Sequence, residues 1–320
     1  MINDQGLYPV YGGNGLRGFT GSYNHDGDYI LIGRQGALCG NVRKVTGKTY
    51  VTEHAIAVCA SKEHETTFLQ HLFQKMRLGQ YSDQSAQPGL AVNKLLRLNI
   101  NVPSKNEQGK IAKILSLIDE RITTQNKIIE DLKKLKSAIS LKMLHSDSWE
   151  QFRIKDIAII GRGRVISSVE ISQQKNPTYP VYSSQTSNEG IMGYLDDYMF
   201  EGEYISWTTD GANAGTVFYR NGKFNCTNVC GLLKLKKGFD THFVSLVLAE
   251  ATKKYVSVNL ANPKLMNNTM GNIQIRLPKL EEQKRISIVF RRLHELLAIH
   301  NNLLTEYSKQ KQYLLSQMFI

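Results

Sequence analysis

Arginines on flexible loops are the side chains of this chain whose type and spacing suggest chemistry. At Gly161 to Arg164, GRGR follows the apolar run IKDIAII, and Arg162 and Arg164 suit phosphate contact or bidentate reading of a guanine edge. Two glycine-rich turns offer more because they recur, GRQGALCGNV at Gly33 to Val42 and TTDGANAGTV at Thr208 to Val217. Glycine permits tight turns and a close approach of backbone to ligand. The side chains around the glycines differ, as they would in two readers of different base sequences: Arg34, Gln35 and Asn41 in one, Trp207, Asp210 and Asn213 in the other. Arg17, in the loop GGNGLRG, joins this set. Arg43, Lys44 and Lys48, with Arg220 and Lys223 in the second region, would supply phosphate contacts that set register without specifying bases. The plainer readings are solvated charges on hairpins and a repeated turn that only shapes a sheet.

No catalytic machinery accompanies these loops. The chain has no GxxxxGK[ST] phosphate loop, no HExxH, no GxSxG elbow and no carboxylate pair repeated between its halves. NPTY at Asn176 to Tyr179 differs by one residue from the NPPY of adenine methyltransferases, but no glycine-rich cofactor loop precedes it, and it reads as the start of a strand. A net charge of +12 over 320 residues suggests a polyanionic partner. The hydrophobic fraction of 41% fits a globular chain. The start, MINDQGLYPVYGG, lacks a basic region followed by an apolar run, and no stretch is apolar enough for a membrane span. A cytoplasmic protein with reduced cysteines is expected. Cys226 and Cys230 have no second pair at zinc spacing, so no metal site is expected.

Two long helices must hold these loops. From Ile111 the apolar positions run Ile111, Leu115, Ile118, Ile122, then Ile129, Leu132, Leu135 and Ile139, a coiled-coil seam with Gln125 as one polar interruption. Pro278 to Ile320 repeats the pattern with Ile286, Phe290, Leu293, Leu297, Leu304, Tyr307, Leu314 and Met318, and His300 stands in place of Gln125. Matching positions of the two helices differ by 175, and the register extends upstream through Thr52 and Thr227, Pro88 and Pro263, and Ile100 and Ile275, slipping only near the start, where YPVY at Tyr8 pairs with YPVY at Tyr179 at an offset of 171. The chain is one module written twice. Short strand-like runs are followed by a helical stretch (Thr66 to Leu78, His242 to Tyr255), an extended run into proline, and a helix of roughly 57 Å. The segments are 1–102, 103–145, 146–277 and 278–320. Antiparallel pairing of the helices would bring Gln125 against His300, a polar pair fixing register. About thirty residues precede YPVY in the second copy and seven in the first. The first copy is therefore expected to lack an opening strand, through truncation or gene rearrangement, leaving an exposed sheet edge.

This arrangement resembles the DNA-specificity subunits of type I restriction-modification systems. The resemblance rests on WTTDGANAGTVFYRNGKFNCTNVCGLL, IGRQGALCGNV and the paired helix lead-ins PSKNEQ and PKLEEQ. It implies an α/β (α+β) fold of two tandem target-recognition domains, each followed by a long helix, the helices pairing as an antiparallel coiled coil that spaces two DNA half-sites. It also implies a non-catalytic chain that binds double-stranded DNA and recruits two modification (methyltransferase) subunits and the restriction (endonuclease/translocase) subunits. S-adenosylmethionine and ATP would be bound by those partners. The competing reading is a protein-interaction adaptor with a coiled-coil spacer and an incidental basic charge. A third, a self-contained adenine methyltransferase, would require this chain to bind S-adenosylmethionine alone.

Overall fold

The computed structural model describes residues 5–83, 88–257 and 262–319. Two compact units emerge, one of residues 1–129 and 299–320, the other of residues 130–298. The helical segments expected at 103–145 and 278–320 are thus each shared between the units rather than standing apart.

The first unit contains β1 (Tyr8–Gly12), β2 (Gly15–Thr20), β3 (Tyr29–Gly33), β4 (Val42–Val45), β5 (Tyr50–Val51), β6 (Ala55–Val58), α1 (Thr66–Lys75) and α2 (Val92–Leu95). Helix α3 (Lys105–Met143) begins here and continues into the second unit. The strands form two sheets, ordered β2-β1-β5 and β4-β3-β6. Ile30 and Ile32 of β3 are buried with Phe68, Leu69 and Leu72 of α1, which covers the second sheet.

The second unit elaborates the same plan with β7 (Glu150–Arg153), α4 (Ile154–Ile157), β8 (Ala158–Arg162), α5 (Ser168–Ser172), β9 (Tyr179–Tyr182), β10 (Ile191–Leu195), β11 (Phe200–Glu201), β12 (Tyr204–Thr208), β13 (Val217–Arg220), β14 (Lys223–Cys226), β15 (Cys230–Leu235), α6 (Thr241–Ala251), α7 (Asn267–Asn272) and β16 (Gln274–Leu277). Helix α8 (Leu280–Met318) starts in it. Its sheets are ordered β10-β9-β14-β11, β13-β12-β15-β8 and β16-β7. The sheet β4-β3-β6 corresponds to β13-β12-β15, and in the second unit this sheet carries one strand more, β8, on its outer edge. Its core gathers Ile205, Trp207, Phe243, Val244, Ile275 and Phe290.

A glutamine ties the start of α1, and likewise of α6, to the long helix that follows it. Gln283 is 2% exposed; its Oε1 accepts from the Asp240 N–H (3.0 Å) and its Nε2 donates to the Pro278 carbonyl (2.8 Å). Gln108, 1% exposed, does the same with the Glu65 N–H (3.0 Å) and the Pro103 carbonyl (2.9 Å). Each glutamine satisfies a donor at a helix start, where backbone N–H groups have no partner within the helix. The recurring PxxxEQ lead-in is therefore a structural clamp.

The long helices, 39 residues each, run antiparallel within each unit. In the first, Gln125 Nε2 meets His300 Nδ1 at 2.5 Å, and Lys311 Nζ lies 2.6 Å from Asp119 Oδ1. In the second, Lys136 Nζ lies 2.6 Å from His294 Nε2. Leu115, Ile118, Ile129, Ile286, Phe290 and Leu293 of the seam are buried. Ile111, Ile122, Leu132, Leu297, Leu304 and Tyr307 are partly buried. Leu135, by contrast, is 48% exposed. After Leu132 the repeat takes a step of four, so Lys136 faces inward and Leu135 turns to solvent. In the second unit His242, 4% exposed, bonds Ser287 Oγ at 2.8 Å through Nδ1. Burial, reinforced by Arg291 and His294, pushes it down to about 4. Desolvation and the charge of Lys136 also hold His294 below the ordinary histidine range, so its neutral ring accepts a hydrogen bond from the lysine ammonium.

Candidate nucleic-acid interface

Both glycine turns close in the same way. In the first, Gly33 N donates to Asn41 O, Gly40 N to Gly33 O, Cys39 N to Gly36 O and Asn41 N to Leu38 O, at 2.8–3.0 Å. In the second, Thr208 N donates to Thr216 O, Gly215 N to Thr208 O, Ala214 N to Gly211 O and Thr216 N to Asn213 O, at 2.9–3.1 Å. Gly36 and Gly211 have φ of +81° and +87°, and Gly40 and Gly215 of +81° and +82°, a region costly for residues with a Cβ. A Cβ on Gly40 would also lie 2.0 Å from the Gly79 nitrogen. A second loop braces each turn: Gly36 N reaches Pro88 O and Gly211 N reaches Pro263 O, both at 3.0 Å. A rigid main-chain frame thus presents side chains that differ between the copies.

In the first unit Arg17 and Gln35 line one open hollow of about 530 Å³ together with Asn14 and His54. Asn41 and Arg43 line an adjoining cleft that shares Gly13 with it. Gln35 Oε1 lies 3.1 Å from His54 Nδ1, and Arg34 is exposed, its Nη1 3.5 Å from the Glu53 carbonyl. This is a cationic and amide-bearing concavity of the kind that reads base edges and phosphates. Asn14 and His54 were not singled out from sequence; Asn14 sits in the same GGNGLRG loop as Arg17, whereas His54, on the hairpin before β6, left no local signal. Lys44 is removed from this group, because its Nζ bonds Thr67 Oγ1 (3.1 Å) and pairs with Asp28 (3.4 Å). Lys48 stacks over the Tyr23 ring at 4.7 Å, in the turn before β5.

In the second unit the end of the sheet that bears the glycine turn collects Arg162, Asp210, Asn213, Lys264 and Asn267. Arg162 Nε donates to Asn267 Oδ1 (2.9 Å), Asp210 bridges Lys264 through the backbone, and Asn213 is exposed. Arg164 is exposed but forms a two-pronged ion pair with Glu170, so its charge is already matched. Lys223 stands over Tyr198 (4.4 Å), beyond the far end of β13 from the turn.

Two expected contacts belong to the interior. Trp207 is 0% exposed, with Nε1 donating to the Leu265 carbonyl (2.9 Å). Its ring occupies the slot left by Gly231, whose Cβ would fall 2.1 Å from it. Arg220 is 4% exposed; its Nε donates to Ser206 Oγ (3.0 Å), its Nη2 to the Glu189 carbonyl (2.8 Å), and its guanidinium lies 3.6 Å from the centre of the Tyr182 ring. These contacts replace the water that burial removes. The NPTY stretch leads into β9, with Asn176 N held by Asp196 Oδ1 at 2.8 Å. Cys226 and Cys230 are buried free thiols, and among the described residues no group of three or more His, Cys, Asp or Glu forms a metal cluster. Also among these residues, no helix is long and apolar enough to cross a membrane.

Comparison with known proteins gives a consistent set of matches. The family described as the type I restriction modification DNA specificity domain matches residues 1–134 and 146–307. A candidate type I specificity subunit of Mycoplasma pneumoniae, S.MpnORF365P, is 38% identical over 212 residues, 62% of this chain and 76% of that protein. The type I restriction enzyme EcoprrI specificity subunit of Escherichia coli is 48% identical over 124 residues, 39% of this chain and 30% of that one. The crystal structure of a type I restriction-modification system S subunit from M. genitalium shares the fold, with a TM-score of 0.80 at 19% identity, covering 100% of this chain and 90% of that chain.

Proposed function

The chain belongs to the type I restriction-modification DNA specificity family, and from that premise we propose that each of its two units reads one half of a split duplex DNA site through its glycine-turn face. The chain is the non-catalytic DNA-specificity component and assembles with other subunits of its system. The observation that carries the half-site reading is the turn itself, one backbone frame in both copies with different side chains on it. Arg17, Gln35, Asn41 and Arg43 would address one half-site, and Arg162, Asp210 and Asn213 the other. Two modification subunits would dock along the long helices, where Ile114, Leu117, Leu296, Ile299 and Leu303 are exposed apolar side chains. S-adenosylmethionine and ATP would be held by the modification and restriction subunits.

Titration of duplex DNA at rising salt tests this reading against the adaptor reading. Phosphate contacts displace counterions, so affinity should fall steeply between 50 and 200 mM salt, by roughly a thousandfold for six or more contacts. A flat response would favour the adaptor. Mapping methylated adenines in cells with and without the gene should reveal a bipartite motif that depends on it.

A further inference from the structure

Each glycine turn holds one residue at the same place, and the two residues differ in a way that base chemistry can use. It is Gln35 in the first unit and Asp210 in the second, 175 positions apart. The frame around them is shared. In the first unit Arg34 N donates to the His54 carbonyl (2.9 Å) and Leu90 N to the Arg34 carbonyl (2.8 Å). In the second, Thr209 N donates to the Val229 carbonyl (3.1 Å) and Leu265 N to the Thr209 carbonyl (2.8 Å). Backbone bridges pin Gln35 to Gly89 and Asp210 to Lys264, again at corresponding positions. With the main chain held alike, what separates the copies here is the side chain and its neighbour.

An amide has a donor end and an acceptor end, so its reading depends on which way round it points. His54 sets that direction for Gln35. Because Gln35 Oε1 can only accept, its 3.1 Å contact with His54 places the imidazole proton on Nδ1, which donates. The bond uses one of the two lone pairs of Oε1 and leaves the other, with the Nε2 hydrogens, for a ligand. Gln35 is exposed and lines the open hollow it shares with Arg17 and Asn14. An acceptor and a donor side by side match N6 and N7 of adenine in the major groove. A carboxylate needs no such setting, since its two oxygens both accept. At the position of His54 the second unit has Val229, whose side chain offers no donor. The acceptors of Asp210 match the N4 amino group of cytosine. A histidine is thus present where the reader is asymmetric and absent where it is symmetric.

We propose that Gln35, with its amide set by His54, reads an adenine in the first half-site, and that Asp210 reads a cytosine in the second. His54 is a positioning residue that acts on the base through Gln35. Resting on the half-site reading, these assignments name one base in each half.

The test titrates the purified assembled complex with duplexes carrying its methylation motif. Each adenine of the motif is replaced in turn by 7-deazaadenine, which keeps its pairing and lacks N7. At one adenine the replacement should weaken binding by about tenfold, and in the Gln35→Ala complex the same replacement should cost nothing further. His54→Leu should abolish that sensitivity as Gln35→Ala does, whereas His54→Asn, which keeps a donor, should restore it. A residue that only supported the fold would not act at a single base. Asp210→Asn should relax the preference for one cytosine in the other half by about tenfold and leave the adenine reading in place. An unaltered complex with no adenine sensitive to the loss of N7 overturns the proposal without recourse to any variant. A sensitivity that survives Gln35→Ala or His54→Leu overturns it too, as does a cytosine preference that survives Asp210→Asn. A complex with no bipartite preference overturns the half-site reading itself, and a bipartite preference indifferent to these residues overturns only the assignments made here.

Discussion

The two copies solve the same packing problem with different side chains. At the centre of the sheet the second unit sets a tryptophan across a glycine, Trp207 over Gly231, where the first has Ile32 beside Ile56. Along the helices, Asp119 and Lys311 form an ion pair in the first unit, while the positions 175 away, His294 and Lys136, form a bond from an ammonium to a neutral imidazole. The main-chain turn and the glutamine clamp are kept in both. What is held in common is backbone geometry and its satisfaction. What drifts is volume and charge, provided each pair still fits.

The largest expected separation between the copies is in edge packing. Ile275→Ala should cost the second unit about 2–4 kcal/mol, whereas Ile100→Ala in the first should cost well under about 1 kcal/mol. Both tryptophans lie in the second unit, so urea unfolding followed by tryptophan emission reports that unit directly. Equal losses would mean the first edge is as covered as the second.

Acid should then distinguish them. The His242 ring takes up its proton near pH 6.5 when unfolded and near 4 when folded. The unfolded state therefore binds more protons in that window, and stability complete above pH 6.5 is lost as pH falls toward 4, by about 2–3 kcal/mol. The first unit has Thr67 at that position, and its own buried histidine is His71, which burial also holds below the ordinary range, so the tryptophan signal is what isolates the His242 effect. Unfolding midpoints from pH 7 to 4 should show the tryptophan-reported transition falling, and His242→Gln should flatten the fall.

On the DNA face, Arg162→Ala should weaken duplex binding by about 1–2 kcal/mol, and Arg164→Ala by less, since Glu170 already matches its charge. Equal effects in an anisotropy titration would show that the ion pair opens on binding. Smallest of all, Asp119→Asn should cost about 0.5 kcal/mol, because its pair with Lys311 is partly solvated. Its thermal midpoint should move by only a degree or two.

Much of this was legible in the sequence because duplication is self-checking: a constant offset exposes helices, turns and clamp at once. The meeting of Gln125 with His300 followed from the offset and an antiparallel seam. Errors came where one face of an element had to be chosen. Trp207 and Arg220 look like contact residues beside a polar loop, yet Trp207 lies on a central strand of a covered sheet, which buries both faces, and Arg220, on the edge strand β13, is covered by Tyr182 and the Glu189 carbonyl, partners that spacing does not reveal. Leu135 was placed in the seam by a step of three where the helix takes four. His54 reaches the hollow beside Gln35 through the fold, nineteen residues away in the chain, and spacing alone says nothing of it.

Because each glycine turn is closed by main-chain atoms, the residues between its ends carry little of the folding load. Mutation or gene exchange can rewrite them without disturbing the strands on either side. A lineage pressed to change its target sequence therefore has a route to new specificity whose intermediates stay folded.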